Sequence, residues 1–251
     1  LIFHDNIHFE HDLAASLTKA QCIIVAVPSH AVRKIMAQSK PFIPKKAVIV
    51  NVAKGIENDT LKTMSEVIAI SLNHDMNKIV SLYGPSHAEE VVANYPTTLV
   101  SASSSEKSAS YVQKIFSSDT LRVYRNHDIC GVELGGSLKN VIAIAAGICD
   151  GIGFGDNTKA ALLTRGIYEI TQLGIAMGAI AETFSGLSGV GDLIVTCYSR
   201  HSRNRFVGEE IGKGKPLDLI LEKMEMVAEG VKTTKSVRDL SIKYDVEMPI
   251  S

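Results

Sequence analysis

Lys139 stands in Glu133-Leu134-Gly135-Gly136-Ser137-Leu138-Lys139-Asn140, a setting in which an amine could take or give a proton. On a helix its face is shared by Gly135, Gly136, Ile142, Ala143, Ala146 and Gly147, the positions three, four, seven and eight residues away. Nearly all are small. A glycine inside a helix costs about 0.8–1 kcal/mol against alanine, so two in succession imply that a ligand or another backbone comes close. A lysine titrates near ~10.4 in water, and partial burial beside other cations would bring it to the ~7–8 useful to a general base. The rival reading is a helix-packing surface with a lysine reaching solvent at its edge, and helix pattern alone favours that rival.

Other residues could serve such a base. Asp192 closes the glycine-rich turn GLSGVGD (186–192), where a carboxylate could orient an ammonium or accept from a hydroxyl; it could equally cap a helix begun by Leu193. Ser199-Arg200-His201-Ser202-Arg203-Asn204-Arg205 holds three arginines, and guanidinium forks with Ser and Asn donors suit a phosphate. A nucleic-acid patch is disfavoured because the run is short, lacks aromatics and sits in a chain of net charge -1. A solvated charge cluster remains the alternative for Arg200 and Arg205. Lys54 directly follows an apolar run, while Pro28-Ser29-His30 and Gly84-Pro85-Ser86-His87-Ala88 end two others; small residues there allow close backbone approach. His87 and His201 lie near this proposed site.

The elements that must position these residues alternate in the first half and turn helical in the second. Residues 22–27, 47–52 and 79–83 read as buried strands, and 97–102 and 121–125 as two more, with a helix over 106–116. In an open α/β sheet the ligand crevice lies beyond the carboxyl ends of strands, so the loops after the first three strands should line one site. From about Asp128 onward the periodicity predicts one long helix carrying Leu134, Leu138, Val141, Ile142, Ala145 and Ile148, then helices over 159–177, 203–213, 217–223 and 231–243. This predicts an α/β fold: residues 1–127 a partial Rossmann-type parallel-sheet, dinucleotide-binding domain, residues 128–251 an all-helical substrate and catalytic domain. The opening βαβ unit with its GxGxxG turn is missing, since 151-x-153-x-155 and 186-x-x-189-x-191 lack its spacing and its preceding strand. The chain begins in what reads as a strand and stops at Pro249, a plausible helix start. It is therefore expected to be a piece of a longer protein and to hold a nicotinamide cofactor poorly by itself.

Composition bounds the rest. With 45% hydrophobic and 21% charged residues the chain is no disordered segment, and its charge gives no overall field for nucleic acid or an anionic membrane. The longest clearly apolar stretch, 141–148, is far below the ~20 residues that span a bilayer, and no signal peptide is evident. Four cysteines without a CxxC pair fit reduced thiols in the cytoplasm. His4, His8 and His11 have helix-face spacing, but residues 6–9 read as a strand and Asp12 as the cap of the next helix. Their imidazoles should then diverge, and no metal site is expected.

Eight strings in order, VPSHAV (27–32), NVAKGIE (51–57), GPSHAEEV (84–91), ELGGSLKNVIAIAAGICDG (133–151), NTKAALLTRG (157–166), TFSGLSGVGDLIVTC (183–197), SRNR (202–205) and VAEGVKT (227–233), resemble the bacterial type of NAD(P)-dependent glycerol-3-phosphate dehydrogenase. The resemblance covers essentially the whole chain. It implies reversible reduction of dihydroxyacetone phosphate to sn-glycerol 3-phosphate for phospholipid synthesis in the cytoplasm, with NAD or NADP as cofactor and Lys139 as proton acceptor. It places Lys54, Gly84, Ser86, Lys139, Asp192, Ser202, Arg203 and Asn204 at substrate positions, and Lys54, Ala88, Arg203, Val227 and Glu229 at cofactor positions. A small-molecule substrate, no nucleic acid, no membrane span and a homodimer are the partners compatible with it. Two alternatives stand beside it: a β-hydroxyacid dehydrogenase of the 6-phosphogluconate kind, whose GxxxKxxxN pattern fits worse because Ala143 stands four after Lys139, and a catalytically silent binding module.

Overall fold

The strands form where β-branched residues cluster. A computed structural model describes residues 4–224 and 227–251, and in it β1 (Cys22–Val25), β2 (Val48–Asn51), β3 (Ile79–Tyr83), β4 (Thr97–Ala102) and β5 (Leu121–Asn126) make one sheet in that spatial order. Residues of β2 and β3 are buried throughout, as expected of strands covered on both faces. Helices α2 (Val32–Ser39) and α3 (Met64–Leu72) share a core with Ile23, Val25, Ile49 and Ile79. On the other face α5 (Glu106–Phe116) packs Val112 against Val50, Val80, Leu82 and Val123.

The sheet is not wholly parallel, a correction to the expected pattern: β4 runs antiparallel to β3, while β1–β2, β2–β3 and β4–β5 are parallel. The reason is the connection. Between β3 and β4 the only helix is α4 (Ala88–Val92), five residues or about 7 Å long, too short to carry the chain back along a strand, as a parallel neighbour requires. Residues 6–9 form no strand either; they make no ladder among the described residues, and a strand exists only by pairing. Asp12 does cap α1 (Leu13–Leu17), accepting from the Ala15 N–H at 2.8 Å.

After Asn126 every regular element described is helical. Helix α6 (Ile129–Ile152) is followed by α7 (Asp156–Ala176), α8 (Ala181–Phe184), α9 (Asp192–Tyr198), α10 (Arg203–Gly212), α11 (Leu217–Glu222) and α12 (Glu229–Tyr244). Asp128 caps α6 through the Gly131 N–H (2.8 Å) and also accepts from Thr183 Oγ1 (2.7 Å). Near the last residue, Ile250 N–H donates to the Glu169 carboxylate at 3.2 Å. Among the described residues α6 alone is long and apolar enough to cross a bilayer, so the uninterrupted apolar run understated it, yet 78% of its apolar window is buried inside the protein. Leu134, Leu138 and Ile142 meet Leu163, Ile170, Phe184, Leu193 and Leu240 there.

Glycines bring α6 and α10 together. A Cβ at Gly208 would collide with the Ile144 carbonyl oxygen, and one at Gly147 with that of Arg205. This crossing seats the first turn of α10, with Arg203 and Asn204, beside Lys139. Gly208→Ala is expected to destabilise the fold by about 1–3 kcal/mol or more, read as a lowered denaturation midpoint; an unchanged midpoint would mean that the helices can separate freely.

Candidate active site

Helix α6 buries Lys139, which is 6% exposed, and aims its Nζ at α9. There Nζ donates to Asp192 Oδ1 and to Thr196 Oγ1, the latter at 2.7 Å. Thr196 directs its own proton to the Asp192 backbone oxygen (2.6 Å), which leaves its lone pairs to the lysine. Asp192 Oδ2 accepts from Lys54 Nζ at 2.6 Å, and that ammonium also donates to the Gly84 carbonyl at 3.1 Å. One buried carboxylate thus bridges two ammonium groups, one from each half of the chain.

Burial, reinforced by the Lys54 charge, lowers Lys139 from 10.5 to about 7 despite the opposing pull of Asp192. Such a group is part ammonium and part amine at neutral pH, the condition for moving a proton in either direction. Asp192 is not a cap: α9 starts at that residue, Gly191 takes the cap position, and Gly191 N–H bonds back to the Gly186 carbonyl at 3.2 Å in a widened turn. That widening turns the carboxylate inward.

The small stripe beside Lys139 is explained by protein, not by ligand. A Cβ at Gly135 would lie 2.7 Å from the Ser188 carbonyl oxygen, and one at Gly136 would lie 2.5 Å from the Tyr83 ring. The expected close approach of another backbone accounts for Gly135, while at Gly136 the neighbour is an aromatic side chain.

Beyond the carboxyl ends of β1–β3 lies a cleft of about 660 Å³, and all three loops expected to line it do so, through Val27 and Pro28, Ala53 and Lys54, and Ser86 and His87. Of the residues singled out in sequence, Lys54, Ser86, Ala88, Lys139, Asp192, Ser202, Arg203, Asn204, Val227 and Glu229 border it. Gly84 sits one step behind, with φ of 143° and a Cβ position only 3.0 Å from the Thr98 carbonyl oxygen, so only glycine fits.

Their situations differ. Ser202 caps α10 by accepting from Arg205 N–H at 3.2 Å. Asn204 uses both amide ends internally, donating to Asn140 Oδ1 (3.0 Å) and accepting from Gly230 N–H (2.9 Å); it braces α10, α6 and α12. Arg203 is exposed on the cleft wall, one Nη1 donating to the Val227 carbonyl at 2.9 Å. Glu229 opens α12 and accepts from Ser29 N–H (3.1 Å) and Oγ (2.5 Å), closing the cleft between the two halves. Arg205 is not solvated as the cluster reading had it: its Nε donates to Asp150 at 2.7 Å, and Asp150 also pairs with Lys159. Arg200 is exposed.

Sequence reasoning missed Thr196 and Asn140, although each had a signal, Thr196 one helical turn after Asp192 and Asn140 next to Lys139. His87 lines the cleft, its buried Nε2 has no partner, and burial and the Lys139 charge lower its pKa. None of the cysteines is paired, and burial pushes Cys130 and Cys197 up to about 12, unsuited to nucleophilic work.

Comparison with known proteins gives concordant results. The family model described as the NAD-dependent glycerol-3-phosphate dehydrogenase N-terminus matches residues 1–109, and its C-terminal counterpart matches residues 128–251. The chain is 56% identical to glycerol-3-phosphate dehydrogenase [NAD(P)+] of Bacillus subtilis over 241 residues, covering 96% of this chain and 70% of that protein. It is 54% identical to glycerol-3-phosphate dehydrogenase [NAD(P)+] 2 of Salinibacter ruber over 247 residues, 98% of this chain and 72% of that one. The crystal structure of glycerol-3-phosphate dehydrogenase from Coxiella burnetii superposes with a TM-score of 0.91 at 36% identity, covering 98% of this chain and 77% of that one.

Proposed function

The chain belongs to the NAD-dependent glycerol-3-phosphate dehydrogenase family, and from that premise we propose that this cleft interconverts dihydroxyacetone phosphate and sn-glycerol 3-phosphate with Lys139 as the proton-transfer group. The reaction supplies the glycerol backbone of phospholipids in the cytoplasm. The observation that carries the reading is the buried Lys139–Asp192–Lys54 bridge, which holds an amine near about 7 at the mouth of three strand ends.

In the reductive direction the Lys139 ammonium gives its proton to the C2 oxygen; in the oxidative direction the amine takes the proton of the C2 hydroxyl. Asp192 and Thr196 keep Nζ pointed at that oxygen. Lys54, on the other side of Asp192, adds positive charge where negative charge gathers on oxygen. Arg203, at the start of α10, pairs with the phosphate, while Ser202 and Asn204 fix the turn that presents it. Gly84 and Ser86 shape the wall opposite.

The sheet side of the cleft fits a nicotinamide ring: Ala26, Val27, Pro28, Val52 and Ala53 give it an apolar wall, and the unpartnered Nε2 of His87 stands nearby. Lys54, Ala88, Arg203, Val227 and Glu229 are the residues that would hold NAD or NADP, which supplies or accepts the hydride at C2. Residues 1–127 then act as the cofactor side and 128–251 as the substrate side.

The test is a nicotinamide-oxidation assay on the full-length enzyme with dihydroxyacetone phosphate and with unphosphorylated dihydroxyacetone. A charge-assisted bond to phosphate contributes about 1.5–3 kcal/mol, so Arg203→Ala should lower kcat/KM for the phosphorylated ketone roughly 10- to 150-fold more than for the unphosphorylated one, whose loss reads only the contact with the cofactor. Equal losses on both would remove Arg203 from the phosphate.

A further inference from the structure

We propose that Tyr83 and Asn51, oriented by the buried carboxylate of Glu133, are positioning residues that hold Lys54 against Asp192. The proposal rests on the reading of Lys54 as a group of the reactive site. Glu133 is fully buried on α6, and the donors that reach it are all neutral: Asn51 Nδ2 (2.9 Å), Ser65 N–H (2.9 Å), Ser65 Oγ (2.6 Å) and Ser81 Oγ (2.8 Å). A carboxylate buried without a cation is costly to keep, and the polar groups gathered here all come from the sheet half.

The bonds run in one direction. The Ala53 N–H donates to Asn51 Oδ1 at 3.0 Å, which turns the Asn51 amide nitrogen to Glu133 and to the Tyr83 hydroxyl (3.1 Å). Tyr83, already accepting from Asn51, donates its own proton to the Ala53 carbonyl. Burial and the Glu133 charge hold this phenol well above its usual range, which keeps it a donor. Both peptide groups of Ala53 are therefore fixed, and the next residue is Lys54. Helix α6 thus carries the carboxylate that starts the chain, Gly136, whose missing side chain seats the Tyr83 ring, and Lys139, where the chain ends through Lys54 and Asp192.

A double-mutant cycle on the full-length enzyme tests this. Tyr83→Phe removes the hydroxyl but keeps the ring that lies 5.5 Å from Lys54 Nζ. It is expected to lower kcat/KM for dihydroxyacetone phosphate about tenfold in the otherwise native enzyme and less than about twofold once Lys54 is alanine. Glu133→Gln, which retains an acceptor for Asn51, should stay within about twofold of the native enzyme in the same assay. Equal factors in both backgrounds would show a network that serves only the fold, and native kcat/KM in Tyr83→Phe would overturn the positioning role outright. A large loss in Glu133→Gln with Tyr83→Phe silent would also overturn it. If Lys54→Ala by itself leaves kcat/KM unchanged, the site reading beneath the proposal fails, and the proposal with it.

Discussion

Lys139→Ala is expected to lower kcat for dihydroxyacetone phosphate reduction by about 10²–10⁴-fold, the usual contribution of a positioned general acid or base. The substrate should still bind, because Lys54 and Arg203 reach it from other elements. KM should therefore change much less than kcat, the signature of an interaction made in the transition state. The fold should survive, since removing the ammonium leaves Asp192 paired with Lys54. Native-like turnover in this variant would take the proton-transfer role away from Lys139.

The second large effect is that of Asp192→Asn. Asp192 is 1% exposed and is the one carboxylate shared by Lys54 and Lys139. Its removal takes the counter-charge from a buried lysine, and breaking a buried pair costs up to about 3–5 kcal/mol, less where the lysine sheds its proton instead. The sign of the kinetic effect follows from the forces on Lys139. Asp192 pulls its pKa up, while burial and Lys54 push it down. Without Asp192 the lysine moves below about 7 and is mostly amine at neutral pH. Reduction, which needs the ammonium, should slow and find its optimum at lower pH. A variant with native stability and an unmoved pH optimum would show that Asp192 does not govern Lys139.

Much of this was legible in the sequence where one local rule sufficed. β3, β4 and α5 keep the bounds read from apolar runs and turn residues, as Gly84-Pro85 ends β3 and Ser105 caps α5. Direction was not legible, because alternation marks a strand and says nothing of its neighbour; the short α4 decided that β4 runs against β3. The glycines beside Lys139 announced close approach without saying what approaches, and Ser188 and the Tyr83 ring proved to be the answer. Partners far apart in the chain were the least visible. Glu133 meets Asn51 across 82 residues, a pair that spacing rules built on turns of one helix cannot reach, whereas Asp192, 53 residues from Lys139, was legible from the chemistry of its carboxylate. Neither reading of Arg205, phosphate fork or solvated charge, could foresee its partner for the same reason, since Asp150 lies on another helix.

The central claim is that the group titrating near about 7 is Lys139. Its most direct test is the pH dependence of kcat/KM in both directions, for the full-length enzyme and for Lys139→Ala. The substrate phosphate, with a second pKa near ~6, is common to both proteins and cancels in their ratio. In that ratio, reduction should fall as pH rises through about 7 and oxidation should rise through the same value. A ratio without an inflection near that pH, or ratios whose slopes have the same sign in both directions, would contradict it.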